Sequence, residues 1–333
     1  MEINKLIHDL YVGFLHRVPQ PREVEHWQKK IESGLSISDM TETFIQSDEF
    51  KQIEKKLQAI FVPPGHFYSP IVNVQEAKQF LESINTNPDS LDGLVVDKNV
   101  LLSNWKKLLP YLRSIPFSDE KNDKFYYFFK NQAFSYADGS IFHAMLRLHQ
   151  PRRLIEVGSG YSSACAVDTI DHFLDGDVQV TFIEPYPELL INLLGEERLV
   201  NCMINSVGVQ QVDPELFQSL ESGDFLFIDS THVMKTGSDV CHELFNVLPN
   251  LKSGVFVHFH DIFWPFEYSA NWVVEQNRSW NELYGLRAFL MYNDAFKVEF
   301  FNDFFVKNFY ELIQEDYPAM LKNSGGSIWL RKL

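Results

Sequence analysis

The segment from Arg153 to Ser163 reads R-L-I-E-V-G-S-G-Y-S-S and constrains the fold more than any other part of the chain. An apolar, β-branched segment, typical of a strand, leads into a turn with two glycines, and a helix is predicted to begin near Ser162. Gly158 and Gly160 allow the backbone to turn tightly and to approach a ligand without a side chain in between. The free N–H groups at the start of the helix can then face that ligand.

A second predicted strand, Val178 to Glu184, ends in a carboxylate 24 positions after Gly160. A carboxylate at the end of the neighbouring strand can accept both hydroxyls of a ribose, which predicts a nucleoside ligand. Nicotinamide cofactors use the same arrangement, so an oxidoreductase is an alternative. Two details favour S-adenosylmethionine. Glu156 suits an ammonium or sulfonium group better than a pyrophosphate, and Ser163 stands where the dinucleotide pattern has its third glycine or alanine.

From residue 151 onward, short apolar runs alternate with helical segments. The runs are RLIEV, VQVTFIEP, FLFID, GVFVHFHD, FKVEFF and SIWLRK. Strands that alternate with helices indicate an α/β fold, with a mostly parallel sheet and helices on both faces. Such a Rossmann-like sheet binds its ligand outside the carboxyl ends of the strands.

Composition narrows the function classes. The chain has 333 residues, and 29 Lys plus Arg against 45 Asp plus Glu give a net charge of −16. This balance disfavours nucleic acid as a partner. Three widely spaced cysteines favour neither a disulfide framework nor a zinc cluster. No run approaches the ~18 apolar residues of a membrane span, and no signal-peptide pattern opens the chain. A cytoplasmic location is therefore expected.

Residues 1–62 are predicted to form a small helical module. Their pattern Y-x-x-F-L-x-R-x-P, followed by Trp, Gly and F-x-x-S-x-E-F, resembles a short helical repeat of unknown function related to phycobilisome linkers. The matching residues are Tyr11, Phe14, Leu15, Arg17, Pro19, Trp27, Gly34, Phe44, Ser47, Glu49 and Phe50. The resemblance implies docking or tethering to a protein partner. Each of these residues would equally suit the aromatic core of a helical bundle.

Three ordered motifs carry a second resemblance: E-V-G-S-G-x-S-S at 156–163, F-I-D-S-x-H-x-x-K-T-G-S-D at 227–239 and H-x-H-D-I-F-x-P at 258–265. The chain resembles class I S-adenosylmethionine-dependent methyltransferases of a bacterial branch. The resemblance implies seven strands, with the last, Ser327 to Arg331, antiparallel and inserted near Phe296 to Phe301. The residues predicted to bind the cofactor are Glu156, Gly158, Gly160, Ser162, Ser163, Glu184, Gln211 and Asp229.

The predicted domains are a helical docking module at 1–62, a helical linker and candidate lid at 63–124, and a methyltransferase domain at 125–333. The first boundary rests on Pro63, Pro64 and Gly65, which interrupt the helical pattern. A non-catalytic binding or targeting protein is a further alternative. The joint presence of the glycines, Glu184 and Asp229 disfavours it, because a disused site has no physical need for them together.

The acceptor side is predicted after the fourth and fifth strands, where Asp229 and Asp261 follow FLFI and VFVHFH. A hydroxyl acceptor must lose its proton, and His260 and His232 are both candidates for the base. His258 is interpreted as a wall residue of the sheet. An aromatic-rich loop over 263–268 favours a ring-shaped or glycan acceptor, or simple core packing.

A metal is the last candidate feature. Related enzymes hold Mg²⁺ against the acceptor oxygens through acids after the fourth and fifth strands. Asp229 and Asp261 occupy comparable positions, and two carboxylates with waters are ligands that Mg²⁺ accepts. This chain has His-Asp where those enzymes commonly carry an acidic or amide pair, so Mg²⁺ is the less favoured reading.

Overall fold

The computed structural model describes residues 2–15, 17–58 and 60–333. Its α-helices, numbered in chain order, are α1 (Glu2–Leu15), α2 (Pro21–Glu32), α3 (Ile37–Gln46), α4 (Asp48–Gln58), α5 (Val74–Ser83), α6 (Lys98–Leu112), α7 (Tyr136–His149), α8 (Tyr161–Phe173), α9 (Glu188–Leu194), α10 (Glu196–Leu199), α11 (Pro214–Gln218), α12 (Asp239–His242), α13 (Glu282–Leu290), α14 (Asn302–Asn308) and α15 (Tyr310–Asp316). Its strands are β1 (Arg153–Val157), β2 (Gln179–Ile183), β3 (Cys202–Asn205), β4 (Phe225–Ile228), β5 (Phe256–Phe259), β6 (Phe296–Phe301) and β7 (Ile328–Lys332).

Helices α1 to α4 pack around a small core in the first of two compact units, Met1–Ala77 and Lys78–Leu333. That core consists of Ile7, Tyr11, Leu15, Trp27, Met40 and Phe44. The indole N–H of Trp27 donates to the hydroxyl of Tyr11 at 3.1 Å, and the Arg17 guanidinium donates to Glu23 and Glu49. Aromatic residues of the N-terminal pattern therefore build this core. The docking role of residues 1–62 stays a prediction.

The second unit is built on a seven-stranded sheet in the order β3-β2-β1-β4-β5-β7-β6. Neighbours among β1 to β5 run parallel. The last strand, β7, lies between β5 and β6 and is antiparallel to both. The predicted α/β class and the inserted antiparallel strand are confirmed.

The position of the site follows from this strand order. Every residue of β4 and β5 is buried, as continuous apolar runs in a parallel sheet should be. From β1 the chain moves first toward β3 and later, through β4, toward β5. Right-handed crossovers then place the connecting helices on opposite faces and open a crevice at the carboxyl ends of β1 and β4.

Helix α6 belongs to the core of the second unit. Trp105 is fully buried, its ring lies 5.0 Å from that of Phe305, and its indole N–H donates to Asp316 at 2.9 Å. The compact unit thus begins well before residue 125. The lid role assigned to residues 63–124 stays a prediction. No helix in the described ranges has both the length and the apolar character needed to cross a membrane.

Candidate active site

The turn after β1, residues 157–161, is here called the glycine turn. Gly158 has a φ of +79°, a conformation that residues with a Cβ rarely adopt. A Cβ on Gly158 would lie 1.8 Å from the carbonyl oxygen of Asp229, directly after β4. Gly160 is extended, with a φ of −176°, and a Cβ there would meet only Leu189 at 3.6 Å. The fold itself therefore requires Gly158, whereas Gly160 leaves room for a ligand at the start of α8.

Glu156 lies on β1, two residues before Gly158, and is fully buried. One carboxylate oxygen accepts a hydrogen bond from the hydroxyl of Ser162 at 2.5 Å. The other oxygen has no hydrogen-bond partner among the described residues. Burial raises the pKa of Glu156 to about 8, against the opposing hydrogen bonds of Ser162 and Ser163. A buried oxygen without a partner is costly, and a cationic ligand group would satisfy it.

Glu184 follows β2 and faces the glycine turn from the neighbouring strand. Its carboxylate accepts from the backbone N–H of Ser159 at 3.1 Å and from that of Tyr186 at 2.8 Å. Ser159 lies between the two glycines. The acid and the glycine turn are therefore side by side in the structure, and ribose binding by Glu184 stays a prediction.

The remaining predicted cofactor residues have separate positions. The Ser163 hydroxyl accepts the N–H of Gly160 at 3.0 Å, and the Ser162 hydroxyl is engaged by Glu156, so both serines brace the glycine turn. Gln211 ends the 3₁₀ turn Val209–Gln211 after β3 and is exposed. Gln211 lies at the same end of the sheet as Glu184, because β3 is the parallel neighbour of β2.

On the other side of the crevice, His232 lies among three carboxylates. Its Nε2 is 3.4 Å from Asp229 and 3.5 Å from Asp261, and its Nδ1 is 2.7 Å from Glu282. We call Asp229, His232, His260, Asp261 and Glu282 the acid–histidine cluster. Burial alone would lower the pKa of His232, but its bonds to Asp229 and Glu282 raise it to about 11. The acids therefore favour the imidazolium form of His232, and its role as a base stays a prediction.

Asp261 links the two histidines, since its other oxygen lies 3.4 Å from Nε2 of His260. Burial would lower the pKa of His260, but Asp261 and Asp229 raise it above its ordinary value. The Asp261 side chain is 17% exposed and that of His260 is 6% exposed. Within this pair, the carboxylate of Asp261 is therefore more accessible to a ligand than the His260 ring.

Strained backbone concentrates around this cluster. His232 has a φ of +61°, Asp261 of +58°, Phe266 of +68° and Asn277 of +53°. Each such conformation costs about 1–2 kcal/mol for a residue with a side chain. Strain of this kind persists where the surrounding structure enforces it, and it often marks functional sites.

His258 is a wall residue, in line with the sequence interpretation. Its ring is fully buried and stacks on Phe227, with centroids 3.9 Å apart. Its Nε2 lies 2.8 Å from the Ser327 hydroxyl. In the aromatic loop, Trp264, Phe266 and Tyr268 are also buried, and only Phe263 among its rings is half-buried. Most aromatic side chains of that loop therefore pack in the core.

Sequence reasoning missed Glu282. This buried residue, 50 positions from His232 in sequence, fixes the histidine ring. The start of α13 also holds the loop after β4, because the N–H groups of Asn281 and Glu282 both donate to the carbonyl of His232. Trp280, just before α13, lies 4.4 Å from the His232 ring. No local signal links these positions, since only the tertiary fold brings α13 to the end of β4.

The donor set suits an imidazolium better than Mg²⁺. No group of three or more His, Cys, Asp or Glu side chains in the described ranges is arranged to hold a metal ion. Between the two predicted ligands, Asp229 and Asp261, lies the nitrogen of His232. Mg²⁺ prefers six oxygen ligands in octahedral geometry, which this nitrogen between two carboxylates does not provide.

Two family models match the chain. Residues 155–262 match the model described as "Methyltransferase domain", and residues 3–53 match "Domain of unknown function (DUF4214)". An uncharacterized protein of Archaeoglobus fulgidus is 32% identical over 176 residues, which is 51% of this chain and 78% of the archaeal protein.

Solved structures give weaker likenesses. The SAH-bound methyltransferase of Podospora anserina is 14% identical, with a TM-score of 0.39, over 83% of this chain and 99% of its own. The O-methyltransferase TomG of Streptomyces achromogenes, in complex with SAM, is 14% identical, with a TM-score of 0.38, over 72% of this chain and 91% of its own. Likenesses at this level carry no conclusion about activity.

Proposed function

The chain carries a methyltransferase domain and belongs to one family with the uncharacterized Archaeoglobus fulgidus protein, and we propose that it moves a methyl group from S-adenosylmethionine to a hydroxyl of a small-molecule or glycan acceptor. One observation carries the choice of cofactor. One buried oxygen of Glu156, beside the glycine turn, has no partner in the part of the chain that the structure describes, while Glu184 faces that turn from the next strand. The two carboxylates suit the ammonium and ribose ends of this nucleoside.

The residues divide into donor and acceptor groups. S-adenosylmethionine, when bound, supplies an electrophilic methyl group. Glu184 accepts hydrogen bonds from the ribose hydroxyls, because each carboxylate oxygen can accept more than one. Glu156 pairs with the ammonium group. The absence of a side chain at Gly160 lets the backbone approach the ligand.

On the acceptor side, the carboxylate of Asp261 contacts the hydroxyl and takes its proton, and His260 stabilises that carboxylate from behind. The nearby His232 imidazolium and its partner Glu282 keep this pair oriented. Asp229 lies between the donor and acceptor groups, since its backbone contacts the glycine turn and its carboxylate contacts His232. Positioning the hydroxyl in line with the methyl group is the main task of such a site.

The cofactor is tested by tryptophan-fluorescence titration with S-adenosylhomocysteine and, separately, with NAD⁺. We expect saturable binding of S-adenosylhomocysteine and its loss in Glu184→Ala. Saturable binding of NAD⁺ alone would favour an oxidoreductase instead. Unchanged binding in Glu184→Ala would mean that this crevice is not used as proposed.

Metal dependence is tested by EDTA treatment followed by Mg²⁺. We expect turnover to be unchanged, because His232 already lies between the two carboxylates. Loss of turnover that Mg²⁺ restores would instead assign Asp229 and Asp261 as metal ligands.

The acceptor is tested by mass spectrometry of host glycans and small metabolites with and without the protein, where a methylated product is expected.

Cys165, Cys202 and Cys241 are free thiols in the described structure. They are compatible with the cytoplasmic location that we propose. Residues 1–62 are proposed to bind a protein partner.

A further inference from the structure

Arg278 is held between two tryptophans beside the acid–histidine cluster. Its guanidinium carbon lies 4.3 Å from the ring centre of Trp272 and 4.4 Å from that of Trp280. The two rings are inclined at 77° with centroids 5.3 Å apart. Cation–π contacts of this kind fix the position of a guanidinium without using its N–H groups.

The N–H groups of this guanidinium have no hydrogen-bond partner among residues 60–333. Within residues 60–333, the structure shows no carboxylate within 4.0 Å of it and no hydrogen bond from it. Arginine carries five N–H donors in a planar fork that matches a carboxylate or a phosphate. Arg278 is half-exposed, so a ligand can reach it from solvent. Its donors are therefore available to a ligand.

Contacts through the aromatic rings connect Arg278 to the acceptor side. The ring of Trp280 lies 4.4 Å from that of His232, so a single indole separates the guanidinium from the cluster. The ring of Trp272 lies 5.3 Å from that of Phe263, two residues after Asp261. The positive charge of Arg278 also acts on Asp261, whose pKa it lowers against the larger effect of burial.

The charges around the cleft favour Arg278 as the binding position for an anionic group. Asp229, Asp261 and Glu282 would repel an anion from the cluster itself. The overall charge of −16 would repel it from the protein as a whole. An anionic group of an acceptor therefore finds its favourable position at Arg278, which the Trp280 ring separates from the His232 ring of the cluster.

We propose that Arg278 binds a carboxylate or phosphate group of the acceptor, so that the hydroxyl to be methylated belongs to an acidic sugar or a sugar phosphate. This inference rests on the proposed methyltransferase function and narrows its substrate class. Arg278 is a specificity-determining residue in this assignment, and Trp272 and Trp280 hold it in place.

The test is a calorimetric titration at low salt, in the presence of S-adenosylhomocysteine, with glucuronate, glucose 6-phosphate and neutral glucose as probes. We expect at least one acidic sugar to bind saturably and glucose not to bind. Glucuronate and glucose 6-phosphate separate the two sources of negative charge. Arg278→Gln should weaken acidic-sugar binding by about tenfold or more, since it removes a charge-assisted bidentate contact.

Arg287→Gln is the matched control, because it removes the same charge nine positions away on α13. The Arg287→Gln variant should bind the acidic sugar as the wild type does. Arg278→Lys should weaken binding less than Arg278→Gln, and thermal unfolding checks that each variant is folded. Equal binding of glucose and the acidic sugars, or equal losses in the Arg278 and Arg287 variants, would overturn the assignment. Failure to bind S-adenosylhomocysteine, with acidic-sugar binding intact and dependent on Arg278, would refute the methyl-transfer function and still support the anion site.

Discussion

The glycine turn and the acid–histidine cluster share one edge of the sheet but differ in how they balance charge. At the glycine turn, Glu156 and Glu184 have hydroxyl and backbone N–H partners, and no ion pair with any described residue. In the cluster, His232 lies within 3.5 Å of Asp229 and Asp261 and 2.7 Å from Glu282. The donor half therefore leaves the pKa of Glu156 raised by burial, whereas the acceptor half supplies a cation to its carboxylates.

This difference predicts what each half does when it is disturbed. Changes in the cluster should act on catalysis and folding, because its charges depend on one another. Changes at the glycine turn should act on ligand binding and on how stability varies with pH.

The largest expected effect is that of Asp261→Asn on turnover. Loss of the proton-accepting carboxylate should lower kcat by about 10²–10⁴-fold, while the affinity for S-adenosylhomocysteine stays close to that of the wild type. His260→Ala should behave in the same way. Steady-state kinetics with calorimetric titration of S-adenosylhomocysteine measures both quantities, and the exposed Asp294→Asn is the control. Equal losses in turnover and cofactor affinity would contradict the separation into two halves.

Next in size is the destabilisation expected from Glu282→Ala. This change leaves the buried charge of His232 without its closest partner, and breaking a buried pair costs about 3–5 kcal/mol. Denaturant unfolding measures the effect. Glu282→Gln keeps a hydrogen-bond acceptor and should lose less. If both variants are as stable as the wild type, the cluster does not depend on this pair.

Gly158→Ala should destabilise the protein by about 2 kcal/mol or more, from its positive φ and the clash with the Asp229 carbonyl. Gly160→Ala is the matched control, because its backbone is extended and its Cβ would meet only Leu189. Thermal unfolding should separate the two variants clearly. Similar melting temperatures would show that the glycine turn tolerates a side chain at either position.

The smallest effect, taken per pH unit, concerns Glu156 and pH. Burial raises its folded-state pKa to about 8 from an ordinary value of 4.5, so the folded protein keeps a proton that the unfolded chain has released. The free energy of unfolding should therefore fall as pH rises from about 5 to about 8, by up to ~1 kcal/mol per pH unit. Urea unfolding at several pH values in the absence of cofactor measures this slope.

Glu156→Gln removes the titrating group and should flatten the slope. Saturating S-adenosylhomocysteine should flatten it as well, because an ammonium partner lowers the pKa of this carboxyl. An identical slope in wild type and variant would assign the pH dependence to the acid–histidine cluster instead.

Prediction from sequence succeeded where the signal is local. The run RLIEV became β1, and the antiparallel strand near the end became β7. The acid after β2 lies against the glycine turn. Strand runs, glycine spacing and the order of the motifs are all properties of neighbouring residues, so one sequence contains them.

Prediction was incomplete where distant residues meet. His232 was a candidate base, and Glu282 and Asp229 favour its imidazolium form. Arg278 and Trp280 had no assigned role, because nothing near them in sequence indicates that α13 and the preceding loop lie against the end of β4. The predicted catalytic residues do come together, yet their protonation depends on these partners.

The sequence by itself determined the sheet, the glycine turn and the acid opposite it, because strand periodicity and backbone freedom are fixed by neighbouring residues. Only the tertiary structure decided which carboxylates acquire a cation, which oxygen stays without a partner and where a free guanidinium lies. Those properties depend on burial and on distances between segments far apart in the chain, and electrostatic energies change steeply with both.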